Sequence, residues 1–153
     1  MDATANAPEL VLIIERIFDA PRELVFKCWT DPVHLARWAG PRGFTATIVS
    51  CEPYQGGDFR MHMRSSDGRE LWQRGVFREV VAPERIVRTY FRTDADGNPT
   101  GPETLLTVTL EDLGNRTKLR LHQATFESVA ARDAHQSGWS SSLDKLSEYV
   151  KSL

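Results

Sequence analysis

The stretch RIFDAPRELVFKCWTDPVHLARWAGP (residues 16–41) contains two helix starts in quick succession. Pro21 stands where a first helical turn begins, and Asp31, followed by proline, supplies the N-cap of a second one. Apolar side chains recur at helical spacing between the two starts: Leu24, Val25, Cys28 and Trp29. A second helix over 33–38 should end before the Gly-Pro pair at 40–41. The stretch therefore predicts two short helices in series.

Upstream of this stretch, the chain is predicted to begin with a tail and then a strand. Residues 1–9 are rich in small and acidic side chains and are expected to be disordered. The run LVLIIERIF (10–18) is apolar and β-branched, which is typical of a strand. The length from 10 to 153 suits one domain with a single core. No basic segment precedes the apolar run, so no signal peptide is predicted.

Downstream of Gly43, the apolar pattern changes from helical spacing to alternation. Six segments alternate in this way, at 45–53, 58–64, 70–81, 84–93, 103–112 and 116–124. Turn residues separate them, and the pairs Asp67-Gly68 and Gly114-Asn115 are typical of hairpins. Short turns join antiparallel neighbours, because parallel strands need long crossovers. Together with the first strand, the pattern predicts a seven-stranded antiparallel sheet.

The last segment, 127–153, is predicted to form one long helix. Its apolar residues fall at i, i+4, i+7, i+11 and i+14: Trp139, Leu143, Leu146, Val150 and Leu153. Helices gathered on one face of an antiparallel sheet make an α+β domain. A sheet of this width curls, so the long helix should pack across its concave face. The apolar stripe of the helix is too narrow to fill that face, which favours a cavity for an apolar ligand.

The composition excludes several classes of protein. The chain has 19 Lys and Arg against 21 Asp and Glu, a net charge of −2, so no nucleic-acid partner is predicted. No apolar run reaches the roughly 18 residues that span a bilayer, and a cytoplasmic location without membrane insertion is expected. Cys28 and Cys51 suit small buried side chains better than a disulfide, and they are too few for a zinc site. No motif for a metal or another cofactor is found.

Four segments resemble one family: the 16–41 stretch, YQGGDFR at 54–60, GVFREVVAPERIV at 75–87 and HQSGWSSSLDKLSEYV at 135–150. They are similar to the activator-of-heat-shock-protein-90-ATPase-like branch of the START-like (SRPBCC) superfamily. The resemblance runs from about residue 10 onward and implies one START-like domain with the helix-grip fold. That superfamily includes lipid carriers, polyketide cyclases and co-chaperones, so function stays open. The eukaryotic co-chaperone resembles this chain only in its C-terminal domain, and a chaperone partner is therefore not expected.

Seven side chains are predicted to form the walls of the cavity: Trp38, Phe59, Met61, Met63, Tyr90, Trp139 and Leu143. The three on the 58–64 strand alternate with charged or polar neighbours and share one face, which is expected to be the inner one. Trp38 can also be a core anchor for the second helix, and the family's tryptophan-rich corner implies a lid there. Trp139 follows Gly138, and glycine is costly inside a helix, which favours a close backbone approach at that position. Core packing is the alternative interpretation for these residues.

The sequence does not identify which face of the strand at 70–81 points inward. Both faces carry large apolar groups, with Trp72, Arg74 and Val76 on one and Leu71, Gln73, Gly75 and Phe77 on the other. His62 and His122 alternate out of phase with their apolar neighbours and are predicted to face solvent. His34 and His135 lie in helices among polar residues, without evident partners. No general acid or base is assigned, and no catalytic residue is predicted.

Arginines recur on the sheet strands and are predicted to form a basic stripe on the convex face: Arg60, Arg64, Arg74, Arg78, Arg88 and Arg92. Carboxylates stand between them in the sequence. Their presence favours cross-strand ion pairs on a solvated face over a surface that binds anions or nucleic acid.

The preferred hypothesis is a protein that binds one small, mainly apolar molecule and uses no cofactor. One alternative is a polyketide-cyclase-like enzyme, which requires a buried His or Glu with a shifted pKa. Another is a protein-interaction module of the co-chaperone type, which requires an exposed apolar patch. An exposed edge strand leaves a homodimer open. The identity of the ligand and the pathway do not follow from the sequence.

Overall fold

The computed structural model describes residues 10–153. One strand is followed by two short helices, six further strands and one long helix, as the sequence pattern predicts. The strands are β1 (Leu12–Phe18), β2 (Phe44–Cys51), β3 (Asp58–Ser65), β4 (Glu70–Val81), β5 (Arg85–Thr93), β6 (Thr104–Asp112) and β7 (Thr117–Ala124). The helices are α1 (Arg22–Thr30), α2 (Pro32–Trp38) and α3 (Val129–Lys151). The tail predicted at 1–9 lies outside the described residues.

The seven strands form one antiparallel sheet in the order β1-β7-β6-β5-β4-β3-β2. β2 to β7 pair with their neighbours along the chain, while β1 pairs with β7, for example Ile14 with Leu121. A shift of register between Phe77 and Glu79 interrupts the ladder between β4 and β5. The sheet curls around α3. The predicted α+β helix-grip architecture is therefore confirmed.

Two of the helices begin at a capping side chain, which for α2 is the predicted Asp31. The Asp31 carboxylate accepts a hydrogen bond from a backbone N–H of α2 at 2.9 Å, and the Ser128 hydroxyl does the same for α3 at 3.1 Å. The apolar stripe of α3 is half-buried at Trp139 and buried from Leu143 to Val150. Leu153, predicted to continue the stripe, lies beyond the helix and is 55% exposed. No helix in the described part of the chain is long and apolar enough to cross a membrane.

One half of the space between the sheet and α3 is filled with aliphatic side chains. Within the continuous core, this part is made by inward residues of β1, β6 and β7 with residues of α3: Leu12, Leu106, Leu119, Leu121, Leu143 and Leu146. Each of these side chains is at most 1% exposed. We call this region the filled half.

Candidate functional site

A cavity of about 330 Å³ lies in the other half of this space, which we call the cavity half. Its walls come from α1, α2, the corner at 38–41, strands β2 to β5 and the N-terminal part of α3. Prominent among the lining side chains are Trp29, Leu35, Phe44, Leu71, Gln73 and His135. None of the described residues that line it belongs to β1, β6 or β7. Across the width of the sheet, β1, β6 and β7 therefore pack in the filled half, whereas β2 to β5 enclose the cavity.

Six of the seven predicted wall residues line this cavity: Trp38, Phe59, Met61, Met63, Tyr90 and Trp139. The side chains of β3 alternate as predicted, with the three apolar ones buried on the inner face. Leu143 is fully buried as well, but it lies one turn further along α3, in the filled half. Contact of these residues with a ligand stays a prediction.

Three tryptophans form one wall of the cavity. The ring of Trp29 lies edge-on to that of Trp38, with centroids 4.8 Å apart, and stacks on that of Trp139 at 5.7 Å. The Trp38 indole Nε1 donates a hydrogen bond to the Cys28 carbonyl at 2.9 Å. Trp38 is thus an anchor that ties α2 to α1 and, at the same time, part of the cavity wall.

A chain of hydrogen bonds fixes Trp139 against the sheet. Its Nε1 donates to Gln123 Oε1 at 2.8 Å. Gln123 Nε2 donates to the Thr104 hydroxyl at 2.9 Å, which donates in turn to the Tyr90 carbonyl at 3.1 Å. The amide and hydroxyl groups are buried, so removing one of them leaves its partner without a hydrogen bond. The position of this cavity wall therefore depends on a residue of β7 that does not itself line the cavity.

Gly138, next to Trp139, opens onto the cavity. A Cβ atom placed there meets nothing within 4 Å. The predicted close backbone approach at Gly138 is therefore wrong, and the missing side chain adds instead to the free volume.

The corner at 38–41 contributes to the cavity wall and is held in place by α3. Lys145 Nζ donates to a backbone carbonyl of this corner at 3.0 Å. The backbone N–H of Arg42 donates to the Ser141 hydroxyl at 2.8 Å, and its guanidinium pairs with Glu148. These contacts from the side of α3 that faces away from the filled half hold the corner in position over the cavity.

The inner face of β4 is the one that carries Gln73 and Phe77. Gln73 lines the cavity, and the Phe77 ring packs edge-on against Phe59 with centroids 6.2 Å apart. Trp72 lies on the outer face, where its ring stacks on that of His62 at 4.2 Å. The predicted outward orientation of His62 is therefore confirmed.

Arg88 and Arg92 line the cavity, so the prediction that they belong to the convex stripe is wrong. On β5 they share the inner face with Tyr90, as strand alternation requires. Arg88 is only 5% exposed, and its Cζ lies 3.9 Å from the centroid of the Phe59 ring. Its buried Nη1 has no hydrogen-bond partner among residues 10–153, and no carboxylate of that range forms an ion pair with it.

A glycine on the neighbouring strand, Gly75, lies beside Arg88. A Cβ at Gly75 would lie 2.0 Å from the Thr89 carbonyl oxygen and 3.6 Å from Arg88 Nη1. The absence of that atom lets β5 approach β4 closely, whereas the distance to the guanidinium is an ordinary van der Waals contact. Burial lowers the pKa of Arg88 to about 10, which leaves the group protonated at neutral pH.

The charges on the cavity wall are positive. Arg88, Arg92 and Arg69 line it, and the described lining contains no Asp or Glu. Arg69 is exposed, with its Cζ 5.2 Å from the centroid of the Phe44 ring. The chain as a whole carries a net charge of −2, so the cavity is a cationic region in an acidic protein.

His135 is a titratable cavity residue that sequence analysis missed. Its ring lies 5.5 Å from that of Tyr90 and 5.0 Å from that of Phe126, and its Nδ1 is 2.8 Å from the Ala131 carbonyl. Burial lowers the pKa of His135 below its ordinary value. The signal that could have found it is its position four residues before Trp139, on the same side of the helix.

The remaining candidate groups have structural partners or are unreactive. His34 Nδ1 lies 2.6 Å from the Tyr149 hydroxyl, so the expectation that it lacks a partner is wrong. Cys28 and Cys51 are free thiols, and burial raises the pKa of each to about 11, which keeps them protonated. In residues 10–153, no group of three His, Cys, Asp or Glu side chains could hold a metal ion.

Comparisons with known proteins agree with this architecture. The family model described as "Activator of Hsp90 ATPase homolog 1-like protein" matches residues 19–151. A comparison with curated proteins gives no match.

Solved structures from several bacteria are similar over nearly the whole chain. A protein from Arthrobacter aurescens is 28% identical, with a TM-score of 0.86, over 100% of this chain and 90% of its own. A protein from Chromobacterium violaceum is 27% identical, with a TM-score of 0.83, over 92% of this chain and 96% of its own. The AHSA1 protein from Silicibacter pomeroyi is 24% identical, with a TM-score of 0.83, over 92% and 97% of the two chains, and this likeness concerns the fold.

Proposed function

The chain belongs to the family of activator of Hsp90 ATPase homolog 1-like proteins, and from this premise we propose that it binds one small, mainly apolar molecule in its cavity. The wider START-like superfamily includes ligand-binding and cyclase-like members. Family membership alone does not choose between such functions, because unrelated functions share one fold. The choice therefore rests on the cavity.

The cavity itself is the observation that carries this proposal. Ligand pockets measure about 300–1,000 Å³, are lined by apolar and aromatic side chains, and contain a few polar groups that orient the ligand. A volume of about 330 Å³ lies at the lower end of this range and therefore suits a small ligand. Two methionines in the wall, Met61 and Met63, are flexible enough to adapt to the shape of the ligand.

The first experiment is a titration with N-phenyl-1-naphthylamine, a neutral apolar fluorophore whose emission rises in apolar surroundings. We expect saturable binding of one molecule per chain. Native mass spectrometry of the protein purified from its own host should then detect a small molecule at the same stoichiometry, and solvent extraction would identify it. The proposal fails when the fluorophore does not saturate and the native mass is that of the bare chain.

A cyclase-like enzyme is the second candidate function, because His135 lines the cavity. Its lowered pKa keeps the imidazole neutral at neutral pH, the form in which it can accept a proton. We expect an enzyme of this type to accumulate unconverted substrate when His135 is replaced. Extraction of the wild-type protein and of a His135→Asn variant from the same host tests this. The same molecule on both proteins would argue against turnover by His135.

The proposal does not extend to a chaperone partner. On the outer face of β1, the exposed side chains of Ile13 and Ile17 are separated by Glu15. The Glu15 carboxylate lies 3.9 Å from Lys118 Nζ and 3.8 Å from Arg120 Nε. A face on which apolar and charged side chains alternate does not provide the contiguous apolar patch that a partner surface requires.

A further inference from the structure

We propose that the molecule bound in the cavity is an apolar monoanion, such as an aryl or acyl carboxylate, and that its acidic group pairs with the Arg88 guanidinium. This inference rests on the proposed function, because it specifies the chemistry of a ligand for the same cavity. It predicts one polar contact at a defined place and apolar contacts over the rest of the ligand.

The first argument is the deep burial of the Arg88 guanidinium without an ion pair to any described residue. A buried charge is costly unless a partner compensates for it, and arginines inside proteins are nearly always paired. Arg88 is 5% exposed, and its Nη1 is fully buried without a hydrogen bond. Its contact with Phe59, at 3.9 Å, is a cation–π interaction, which covers one face of the guanidinium and supplies no negative charge.

An arginine on the other face of the sheet shows what is missing. Arg74 Nη2 lies 3.3 Å from Asp58 Oδ1, so this half-buried guanidinium has its carboxylate partner within the protein. Arg88 is more deeply buried and has none among residues 10–153. Since guanidinium and carboxylate match in shape and form two parallel hydrogen bonds, a ligand carboxylate supplies what Asp58 supplies to Arg74.

A second buried polar group lies in the same cavity wall. Gln73 is 3% exposed, and its Oε1 is buried without a hydrogen bond in the described structure. It lines the cavity together with Arg88, on the neighbouring strand. A side-chain amide can turn either its N–H₂ or its oxygen towards a ligand, so Gln73 can serve a carboxylate as a second donor.

The wall contains no group that would repel an anion. Arg92 adds positive charge, Arg69 is paired with Asp67 outside the lining at 3.5 Å, and none of the described lining residues is acidic. The rest of the wall consists mainly of aromatic rings and methionines. A molecule with an apolar body and one acidic end fits both properties, whereas a neutral hydrocarbon would leave the Arg88 charge uncompensated.

The test compares two ligands of the same shape on the wild-type protein by isothermal titration calorimetry. The first is 1-naphthylacetate, an aromatic carboxylate, and the second is 1-naphthylacetamide, its neutral amide. A hydrogen bond to a charged group predicts roughly 10- to 150-fold tighter binding of the carboxylate. Equal affinities for the two ligands overturn the assignment of an acidic ligand but leave the proposed function standing. If neither ligand binds and N-phenyl-1-naphthylamine does not saturate, the acidic ligand and the proposed function are both overturned.

Two variants locate the effect at Arg88. Arg88→Met keeps a long apolar side chain and should bring the affinity for the carboxylate down to that for the amide, with the amide affinity unchanged. Arg78→Met makes the same substitution at an exposed position of β4 and should preserve the full difference. Tight binding of the carboxylate by the Arg88→Met protein would overturn the assignment. Urea unfolding shows whether both variants fold, and the comparison of ligands on the wild type does not depend on them.

Discussion

The filled half and the cavity half share one sheet and one helix, but their strands carry different side chains inward. β1, β6 and β7 present mainly leucine, isoleucine and valine, which pack closely under α3. β3, β4 and β5 present methionine, phenylalanine, glutamine and arginine, with Gly138 of α3 opposite, and these enclose about 330 Å³. Close-packed cores tolerate few voids, so a cavity of this size requires the rest of the core to provide the stability. The fold thus assigns close packing and free volume to different strands.

The largest effect is expected from shortening a side chain in the filled half. Leu143→Ala should lower the free energy of unfolding by about 3–5 kcal/mol, because fully surrounded leucines leave a new cavity behind. Met61→Ala should cost about half as much, since its side chain already borders free space. Urea unfolding of both variants measures the difference. Equal losses would remove the energetic distinction between the two halves.

The next largest effect is expected from filling the cavity. Met61→Trp should weaken the binding of N-phenyl-1-naphthylamine by about 100-fold, because the indole takes the place of the ligand. The fold should persist, since the added volume enters existing space. Val76→Trp places the same side chain on the outer face of β4 and should leave binding unchanged. Normal affinity in the Met61→Trp protein would place the binding site elsewhere.

A smaller effect tests the link between the two halves. Gln123→Leu removes the partner of Trp139 Nε1 and of the Thr104 hydroxyl, and should cost about 1–3 kcal/mol of unfolding free energy. Gln136→Leu, at an exposed position of α3, should stay within about 0.5 kcal/mol of the wild type. Thermal or urea unfolding distinguishes them. A silent Gln123→Leu would mean that Trp139 is held by packing alone.

A modest gain in stability is expected at Gly138. Gly138→Ala should raise the free energy of unfolding by about 0.5–1 kcal/mol, because alanine favours the helix and its Cβ has free space. Gly75→Ala should have the opposite sign, since its Cβ would meet the Thr89 carbonyl oxygen at 2.0 Å. Urea unfolding gives both signs. A loss of stability in the Gly138→Ala protein would mean that the backbone does pack closely at Gly138, as the sequence predicts.

The smallest effect concerns pH. The pKa of His135 is lowered by burial from 6.5, so the folded protein binds fewer protons than the unfolded chain just below pH 6.5. The free energy of unfolding should therefore fall as the pH falls from 6.5 towards the folded pKa, and be unaffected by this group above that window. His135→Asn should remove this part of the pH dependence. Unfolding of both proteins at several pH values measures it, and parallel curves would contradict the assignment.

The fold follows from the sequence because its signals are local. Asp31 and Pro32 mark the start of α2, alternation marks each strand, and the glycine turns mark where strands end. The inner face of β3 is predictable for the same reason, since Phe59, Met61 and Met63 alternate strictly with polar neighbours.

The polar part of the site was not predicted, because tertiary packing decides it. Because of Trp72, the sequence leaves the inner face of β4 ambiguous. The structure shows that Trp72 lies on the outer face, where the His62 ring stacks on it. The sequence analysis places Arg88 on the convex face with the other strand arginines, and charged side chains are mostly exposed. Arg88 lies two residues before Tyr90 on the same strand, so strand alternation places both side chains on the inner face. Here alternation predicts the orientation of Arg88 better than the general tendency of charged side chains to be exposed.

The grouping of the tryptophans has a consequence for the fluorescence of the protein. Of the four tryptophans in the chain, Trp29, Trp38 and Trp139 line the cavity, and Trp29 lies 4.8 and 5.7 Å from the other two. Rings at such distances exchange excitation energy, so they emit as one cluster. A molecule that enters the cavity changes the surroundings of this cluster, whereas Trp72 lies on the opposite face of the sheet. The ultraviolet emission of the protein is therefore a built-in optical reporter of whether the cavity is occupied.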